Sequence, residues 1–166
     1  MGKSGLKWLK TPKSPLKNIG GGEMLFGEHQ HSLDAKGRLN FPAVLRKTLG
    51  ERFYITRGLD GCLAVYTEEG WSLLEARFRG LINKEGRALQ RYFFSGAAEL
   101  EPDKQGRVLI PQNLREFAGL EKDIIIIGVS DRAEIWDKQK WDDNQLAMTA
   151  DIASDMVENL QFNGTN

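Results

Sequence analysis

The chain reads Asp34-Ala35-Lys36-Gly37-Arg38-Leu39-Asn40-Phe41-Pro42, and 69 residues later it reads Asp103-Lys104-Gln105-Gly106-Arg107-Val108-Leu109-Ile110-Pro111. Asp, Gly, Arg and Pro stand at the same positions in both stretches. At an offset of 69 or 70, further matches follow: Leu45, Arg46, Gly50, Ile55, Gly58 and Trp71 with Leu114, Arg115, Gly119, Ile125, Gly128 and Trp141. Two copies of one strand–turn–strand–helix–hairpin unit predict an α+β domain with pseudo-twofold symmetry.

Each motif predicts a β-hairpin with a tight turn, followed by a short helix. Three residues link Asp34 to Arg38, and the third is Gly37, which tolerates a positive φ at low cost. Pro42 has no N–H to donate and suits the start of a helix over residues 43–49. We therefore expect a structural role for the residues that build the two motifs: Asp34, Gly37, Pro42, Asp103, Gly106, Arg107 and Pro111.

The first motif also has the chemistry of an anion-binding turn. Asp34 and Arg38 should face each other across the turn, where the carboxylate can accept both backbone N–H groups and guanidinium donors. An arginine has five donors and needs two for a carboxylate, so the others can bind a phosphate or a guanine edge. Lys36 lies at the tip. The alternative is that Asp34 and Arg38 only clamp the turn together.

Charge is distributed unevenly, although the formal net charge is zero. Residues 1–23 carry +4, residues 24–91 carry +3 and residues 92–166 carry −7. A polyanion should therefore bind the first repeat. The second motif looks structural because its Lys104 lies among acidic residues. The candidate DNA-binding residues follow from this: Lys36, Arg38, Arg46 and Lys47.

Other signals are weak. His29 and His31 share one strand face, but the sequence offers no convincing third ligand, so we expect no metal site. Cys62, the single cysteine, excludes an intramolecular disulfide and fits a reducing compartment. We find no phosphate-binding glycine loop and no nucleophile–base pair, and expect neither a cofactor nor a small-molecule substrate. Because no candidate catalytic site is found, we expect that the protein is not an enzyme. No apolar run approaches the roughly 20 residues of a membrane helix, so we expect a soluble protein.

The composition divides the chain into segments. Residues 1–23 mix Lys, Pro, Ser and Gly, and we expect a disordered leader there, with Met24 as the natural start. A basic arm that adds DNA affinity is the alternative. The predicted segments are repeat one over 28–75, repeat two over 97–140 and a C-terminal helix over 145–162. Basic residues between the repeats, from Arg77 to Arg91, suit a solvated face, a subunit contact or a second DNA surface.

The chain resembles the MraZ family of bacterial transcriptional regulators. The likeness covers about residues 24–162 and rests on the two motifs, on Arg87 and Gln90-Arg91 before Gly96-Ala97, on Ala118-Gly119-Leu120, and on Glu134-Ile135-Trp136 after Gly128. It implies two tandem AbrB-like (SpoVT-AbrB) half-domains that form a swapped-hairpin type β-barrel with flanking helices. Residues 1–23 lie outside the family pattern.

The resemblance also implies a function. It implies a cytoplasmic, nucleoid-associated repressor of the division and cell-wall gene cluster that binds direct repeats of double-stranded DNA in its own promoter. It implies a ring of many subunits, which would raise the avidity of one weak basic patch. Arg38 would be the DNA-contacting residue. The alternative is an AbrB-like self-assembling or antitoxin-type interaction module, but such a protein usually carries one half-domain and a long disordered tail.

Overall fold

The computed structural model describes residues 24–163, which form eight strands and six helices. The strands are β1 (Leu25–Ser32), β2 (Arg38–Asn40), β3 (Phe53–Arg57), β4 (Leu63–Thr67), β5 (Ala98–Leu100), β6 (Arg107–Leu109), β7 (Asp123–Ser130) and β8 (Ala133–Asp137). The helices are α1 (Ala43–Leu49), α2 (Glu68–Arg79), α3 (Lys84–Phe94), α4 (Gln112–Ala118), α5 (Lys138–Ala147) and α6 (Ala150–Asn163). The predicted leader lies outside the described residues.

The strands pair across the two repeats. An antiparallel six-stranded sheet has the order β1-β7-β8-β4-β3-β5, and β2 pairs with β6 in a separate two-stranded ribbon. The corresponding strands of the two repeats are β1 and β5, β2 and β6, β3 and β7, and β4 and β8. If each strand of the six-stranded sheet is replaced by its counterpart, the same strand order is obtained in the opposite direction. The predicted pseudo-twofold symmetry is therefore present, with its axis between β4 and β8. No closed barrel is found among the strands of residues 24–163.

The hairpin predicted at the first motif is wrong: the strand before the motif does not pair as a ladder with the strand after it. Between them the described residues contain only one isolated β-bridge, from Leu33 to Leu39. Instead, β1 pairs along its whole length with β7, and β2 pairs with β6. The exchange is stabilising because it brings Leu39 and Val108, which are 0% and 2% exposed, into one core shared by both repeats.

Register within the sheet corrects one of the sequence matches. Ile55 pairs with Ala98, and the equivalent edge pair in the other repeat is Ile126 with His29. The counterpart of Ile55 is therefore Ile126, and the match with Ile125 is wrong by one residue. Ile55 and Ile126 belong to the main core, whereas Ile125 lies on the opposite face, in a second cluster with Cys62, Ile127, Trp136 and Trp141.

Helices α2 and α3 cover one side of the sheet. Trp71 stacks on Tyr54 with ring centroids 5.3 Å apart, and Phe78 of α2 stacks on Phe93 of α3 at 5.2 Å. The predicted C-terminal helix over 145–162 corresponds to the end of α5, a break at Met148 and Thr149, and then α6. Among the described residues, no helix combines the length and the apolar character that crossing a membrane requires.

Candidate nucleic-acid interface

The first turn, residues 34–38, is held together by the carboxylate of Asp34. Its Oδ1 accepts the backbone N–H groups of Lys36 and Arg38, each at 2.9 Å, and its Oδ2 accepts Nε of Arg38 at 2.7 Å. The hydrogen bond from the Arg38 N–H is the main reason that the pKa of Asp34 lies below its ordinary 3.8. The predicted facing pair is confirmed, and the carboxylate stays ionised at neutral pH.

The second turn, residues 103–107, repeats this geometry. Oδ1 of Asp103 accepts the N–H groups of Gln105 and Arg107 at 2.9 Å, and Oδ2 accepts Nε of Arg107 at 2.9 Å. The pKa of Asp103 is lowered for the same main reason, the backbone hydrogen bond from Arg107. In both turns the carboxylate binds Nε. No hydrogen bond within residues 24–163 engages the terminal nitrogens of Arg38 or Arg107.

Each turn is contacted by an arginine from the other repeat. Gly37 and Gly106 have φ of +81° and +80°, as their place in the turns predicts. A Cβ on Gly37 would lie 2.5 Å from Cζ of Arg115, and a Cβ on Gly106 would lie 2.6 Å from Cζ of Arg46. Nε of Arg115 donates to the carbonyl of Ile110 at 2.9 Å, and Nε of Arg46 donates to that of Phe41 at 3.0 Å. The two repeats therefore cap each other's turns.

The ribbon of β2 and β6 brings both turn arginines to one surface. Arg38 lies opposite Leu109, and Asn40 lies opposite Arg107. Leu39 and Val108, which alternate with these residues, are buried in the core. Because successive side chains of a strand point to opposite faces, the outer face carries the other four residues: Arg38, Asn40, Arg107 and Leu109. Asn40 and Leu109 are exposed and the two arginines are half-buried.

The structure does not place all the predicted DNA-binding residues at the first turn. Lys36 is exposed at the tip of the first turn, and Lys47 is exposed in the last turn of α1. Arg46 lies against the second turn rather than the first. Arg115, which is not among the predicted DNA-binding residues, takes the equivalent place on the first turn. The repeat match of Arg46 with Arg115 was a signal for the missing residue. The exchange of turns between repeats has no signal in the sequence.

Pairing across the repeats also reduces the charge contrast between the turns. Arg52 of the first repeat binds Glu99 at 2.6 Å and Glu101 at 3.2 Å, the acids that flank the second motif. The guanidinium of Arg57 donates to the carbonyl of Tyr92 and lies over its ring. These two cations are engaged within the fold, so the sequence overstates how basic the surroundings of the first turn are.

His29 and His31 lie on β1, and Cys62 immediately precedes β4. Residues 24–163 contain no group of three or more His, Cys, Asp or Glu side chains placed to hold a metal ion. Nε2 of His29 is buried without a hydrogen-bond partner, and burial is the main cause of the lowered pKa of His31. The thiol of Cys62 donates to the carbonyl of Leu59, and burial raises its pKa to about 12. Cys62 is therefore a small residue of the second core cluster.

Comparisons with known proteins identify the family. The family model described as "MraZ protein, putative antitoxin-like" matches twice, over residues 24–92 and 93–159. A protein of Acetivibrio thermocellus named Transcriptional regulator MraZ is 61% identical over 121 residues, which cover 72% of this chain and 85% of that protein. Proteins of the same name from Clostridium botulinum and Pelotomaculum thermopropionicum are 50% and 57% identical, over 82% and 72% of this chain and 99% and 83% of their own lengths. The chain therefore belongs to the MraZ family.

Proposed function

We propose that this protein is a DNA-binding transcriptional regulator and that the outer face of the β2–β6 ribbon is its DNA-contacting surface. One observation carries the proposal: Arg38 and Arg107, each fixed by its own carboxylate, lie on the same solvent-facing side of a two-stranded ribbon. The major groove of B-DNA, about 12 Å wide, admits such a ribbon, and some regulators read bases in this way. The relatives' name, transcriptional regulator, supports the same function.

Each residue of this surface has a chemical part. The terminal nitrogens of Arg38 and Arg107 are directed to a guanine edge or a phosphate, with their Nε atoms held by Asp34 and Asp103. Asn40 suits an adenine edge, and the exposed Leu109 suits a thymine methyl group. Phosphates are contacted at the flanks by a set of basic residues: Lys36, Arg46, Lys47 and Arg115.

The regulator acts, in this proposal, as a repressor of the division and cell-wall gene cluster at direct repeats in its own promoter. A ring of subunits supplies several ribbons at once, because avidity for a linked pair of sites rises by about 10²–10⁴. The regulator is cytoplasmic and associated with the nucleoid, and it is not an enzyme. In this proposal the two half-domains are AbrB-like, and the ribbon would complete a swapped-hairpin type barrel by closing against the edge strands of the sheet. The Leu33–Leu39 bridge is consistent with such a closure on the side of β1.

A binding titration on the protein's own upstream DNA tests the proposal. Arg38→Ala and Arg107→Ala are compared with Lys138→Ala, which removes one positive charge from α5. We expect Arg38→Ala and Arg107→Ala each to weaken binding by about 1–3 kcal/mol, roughly 5–150-fold, with the fold intact by circular dichroism. Loss of binding in Arg107→Ala alone would assign the contact to the second turn. Binding equal to that of Lys138→Ala in both variants would leave the two ion pairs as clamps only.

A further inference from the structure

The last helix presents an apolar stripe to solvent. Ile152, Met156 and Leu160 recur at intervals of four along α6, so they lie on one side of it. They are 39%, 50% and 72% exposed, and the neighbouring Val157 is 53% exposed. From residue 150 to 161, Ala153 alone is even half-buried. A contiguous apolar stripe of this kind marks an interaction surface.

The internal symmetry makes the exposure of α6 unusual. Its counterpart in the first repeat is α3, which likewise follows a helix that succeeds a hairpin. That helix is well packed: Phe93 is 7% exposed and stacks on Phe78, and Tyr92 donates its hydroxyl to the carbonyl of Gly58 at 2.6 Å. No comparable contact is made by α6 within the described part of the chain. The apolar stripe of α6 is therefore not covered by the second repeat, to which α6 belongs.

The surroundings of the stripe are acidic. Residues 142–163 contain five Asp and Glu and no Lys or Arg. On α6 itself, Asp155 borders the stripe next to Ile152, and Asp151 and Glu158 lie further round the helix. An acidic rim beside an apolar strip favours a partner surface that is basic and apolar together.

This chain itself carries such a surface, which we call the elbow: residues 77–91, where α2 turns into α3. It holds five basic residues and one acid, Glu85. Arg79 pairs with Glu75, but no ion pair engages the other four basic residues within residues 24–163. Ile82 at the apex is 85% exposed, and Leu81 and Leu89 are 41% and 39% exposed. The side chain of Asn83 caps α3, and Arg87 donates to the carbonyl of Ile82, so the elbow is a formed surface.

We propose that α6 of one copy docks on the elbow of a second copy of this chain, with the apolar stripe against Ile82 and its neighbours and the acidic rim against the basic residues. This inference rests on the multi-subunit assembly that is part of the proposed function, and it identifies the two surfaces through which the subunits would bind each other. A contact between two different surfaces of identical subunits repeats head to tail and closes into a ring when the rotation between subunits allows it.

Mixing two defective variants tests the contact. The helix variant carries Met156→Glu and Leu160→Glu, and the elbow variant carries Ile82→Glu and Lys84→Glu. The matched controls are Ser154→Glu, on another side of α6, and Leu59→Glu, on the exposed β3–β4 turn. Masses are measured by light scattering at micromolar concentration without DNA. We expect the parent and controls to form multi-subunit assemblies and each variant alone to be monomeric. The mixture should form dimers, since one intact helix and one intact elbow remain.

Several results would overturn the inference. A monomeric parent would do so, and so would an elbow variant that keeps the parent's mass. If the helix variant lost assembly and the elbow variant did not, the partner of α6 would be another α6 rather than the elbow. If the elbow variant bound a single DNA repeat more weakly at unchanged mass, the elbow would be a second DNA surface. Failure of the ribbon to bind DNA is a separate result, because every mass is measured in the absence of DNA.

Discussion

Arg46, at the end of α1 in the first repeat, lies against Gly106 in the turn of the second. A Cβ on Gly106 would stand 2.6 Å from Cζ of Arg46, and the symmetric contact puts Arg115 at 2.5 Å from a Cβ on Gly37. Both arginines are tied by Nε to the carbonyl just before the proline that precedes their own helix. The position of one repeat's helix thus determines which cation reaches the other repeat's turn.

Replacing either turn glycine should affect stability and DNA binding together. Gly37→Ala places an L-residue at a φ of +81°, a cost of about 1–2 kcal/mol, and pushes the guanidinium of Arg115 off the turn. We expect a lower free energy of unfolding in urea and weaker DNA binding by the folded variant. The control is Gly50→Ala, where φ is also positive but a Cβ meets nothing within 4 Å. That variant should lose stability alone; an equal loss of affinity would contradict the cross-repeat contact.

The exchange of arginines predicts an unexpected energetic coupling. Arg38 and Arg115 belong to different repeats but to the same turn, whereas Arg38 and Arg46 belong to one repeat but to different turns. A double-mutant cycle with alanine, read out as DNA affinity, should give a coupling on the order of 0.5–1 kcal/mol or more for Arg38 with Arg115. The coupling of Arg38 with Arg46 should be smaller. The reverse order would mean that sequence neighbours, rather than spatial ones, form the site.

Stability should depend on pH through the turn carboxylates. The folded-state pKa of Asp34 is lowered below 3.8, so its contribution to stability is present above that pH and is lost as pH falls through the folded-state value. Urea unfolding of the parent and of Asp34→Asn should therefore differ by a constant amount at pH 7 and 5. The difference should shrink below pH 3.8. A difference that is independent of pH down to pH 2 would show that the charge of Asp34 contributes nothing.

Lys36 and Asn40 should affect DNA binding in different ways. Lys36→Ala removes a phosphate contact, so binding should weaken equally on operator and shuffled DNA. The slope of log K against log salt should fall by about 0.9. Asn40→Ala removes a base contact and should cost about 1–3 kcal/mol on the operator with the slope unchanged. Titrations on both DNAs at three salt concentrations separate the two, and a sequence-dependent loss in Lys36→Ala would refute its assignment.

Local chemistry explains what the sequence could predict. The turns, their positive-φ glycines, the Asp–Arg pairs and helix α1 over 43–49 depend on neighbouring residues, and all appear as expected. The match of Ile55 with Ile125 was wrong because the segment before β7 is two residues longer than its counterpart, whereas the match allows for only one. The row of four isoleucines conceals this shift. Arg115 was missed because a sequence repeat does not reveal whether its copies pack side by side or exchange strands.

The pairing of β1 with β7 has a consequence for how the chain acquires its structure. These strands are about a hundred residues apart, so the sheet edge that begins at Leu25 forms only after most of the polypeptide has left the ribosome. Until then Leu25 and Leu39, which are buried in the folded chain, stay exposed to solvent. We expect a fragment that ends before residue 93 to dimerise, because a second fragment can take the place of the missing second repeat. One chain therefore has the architecture of a dimer whose two halves are covalently joined.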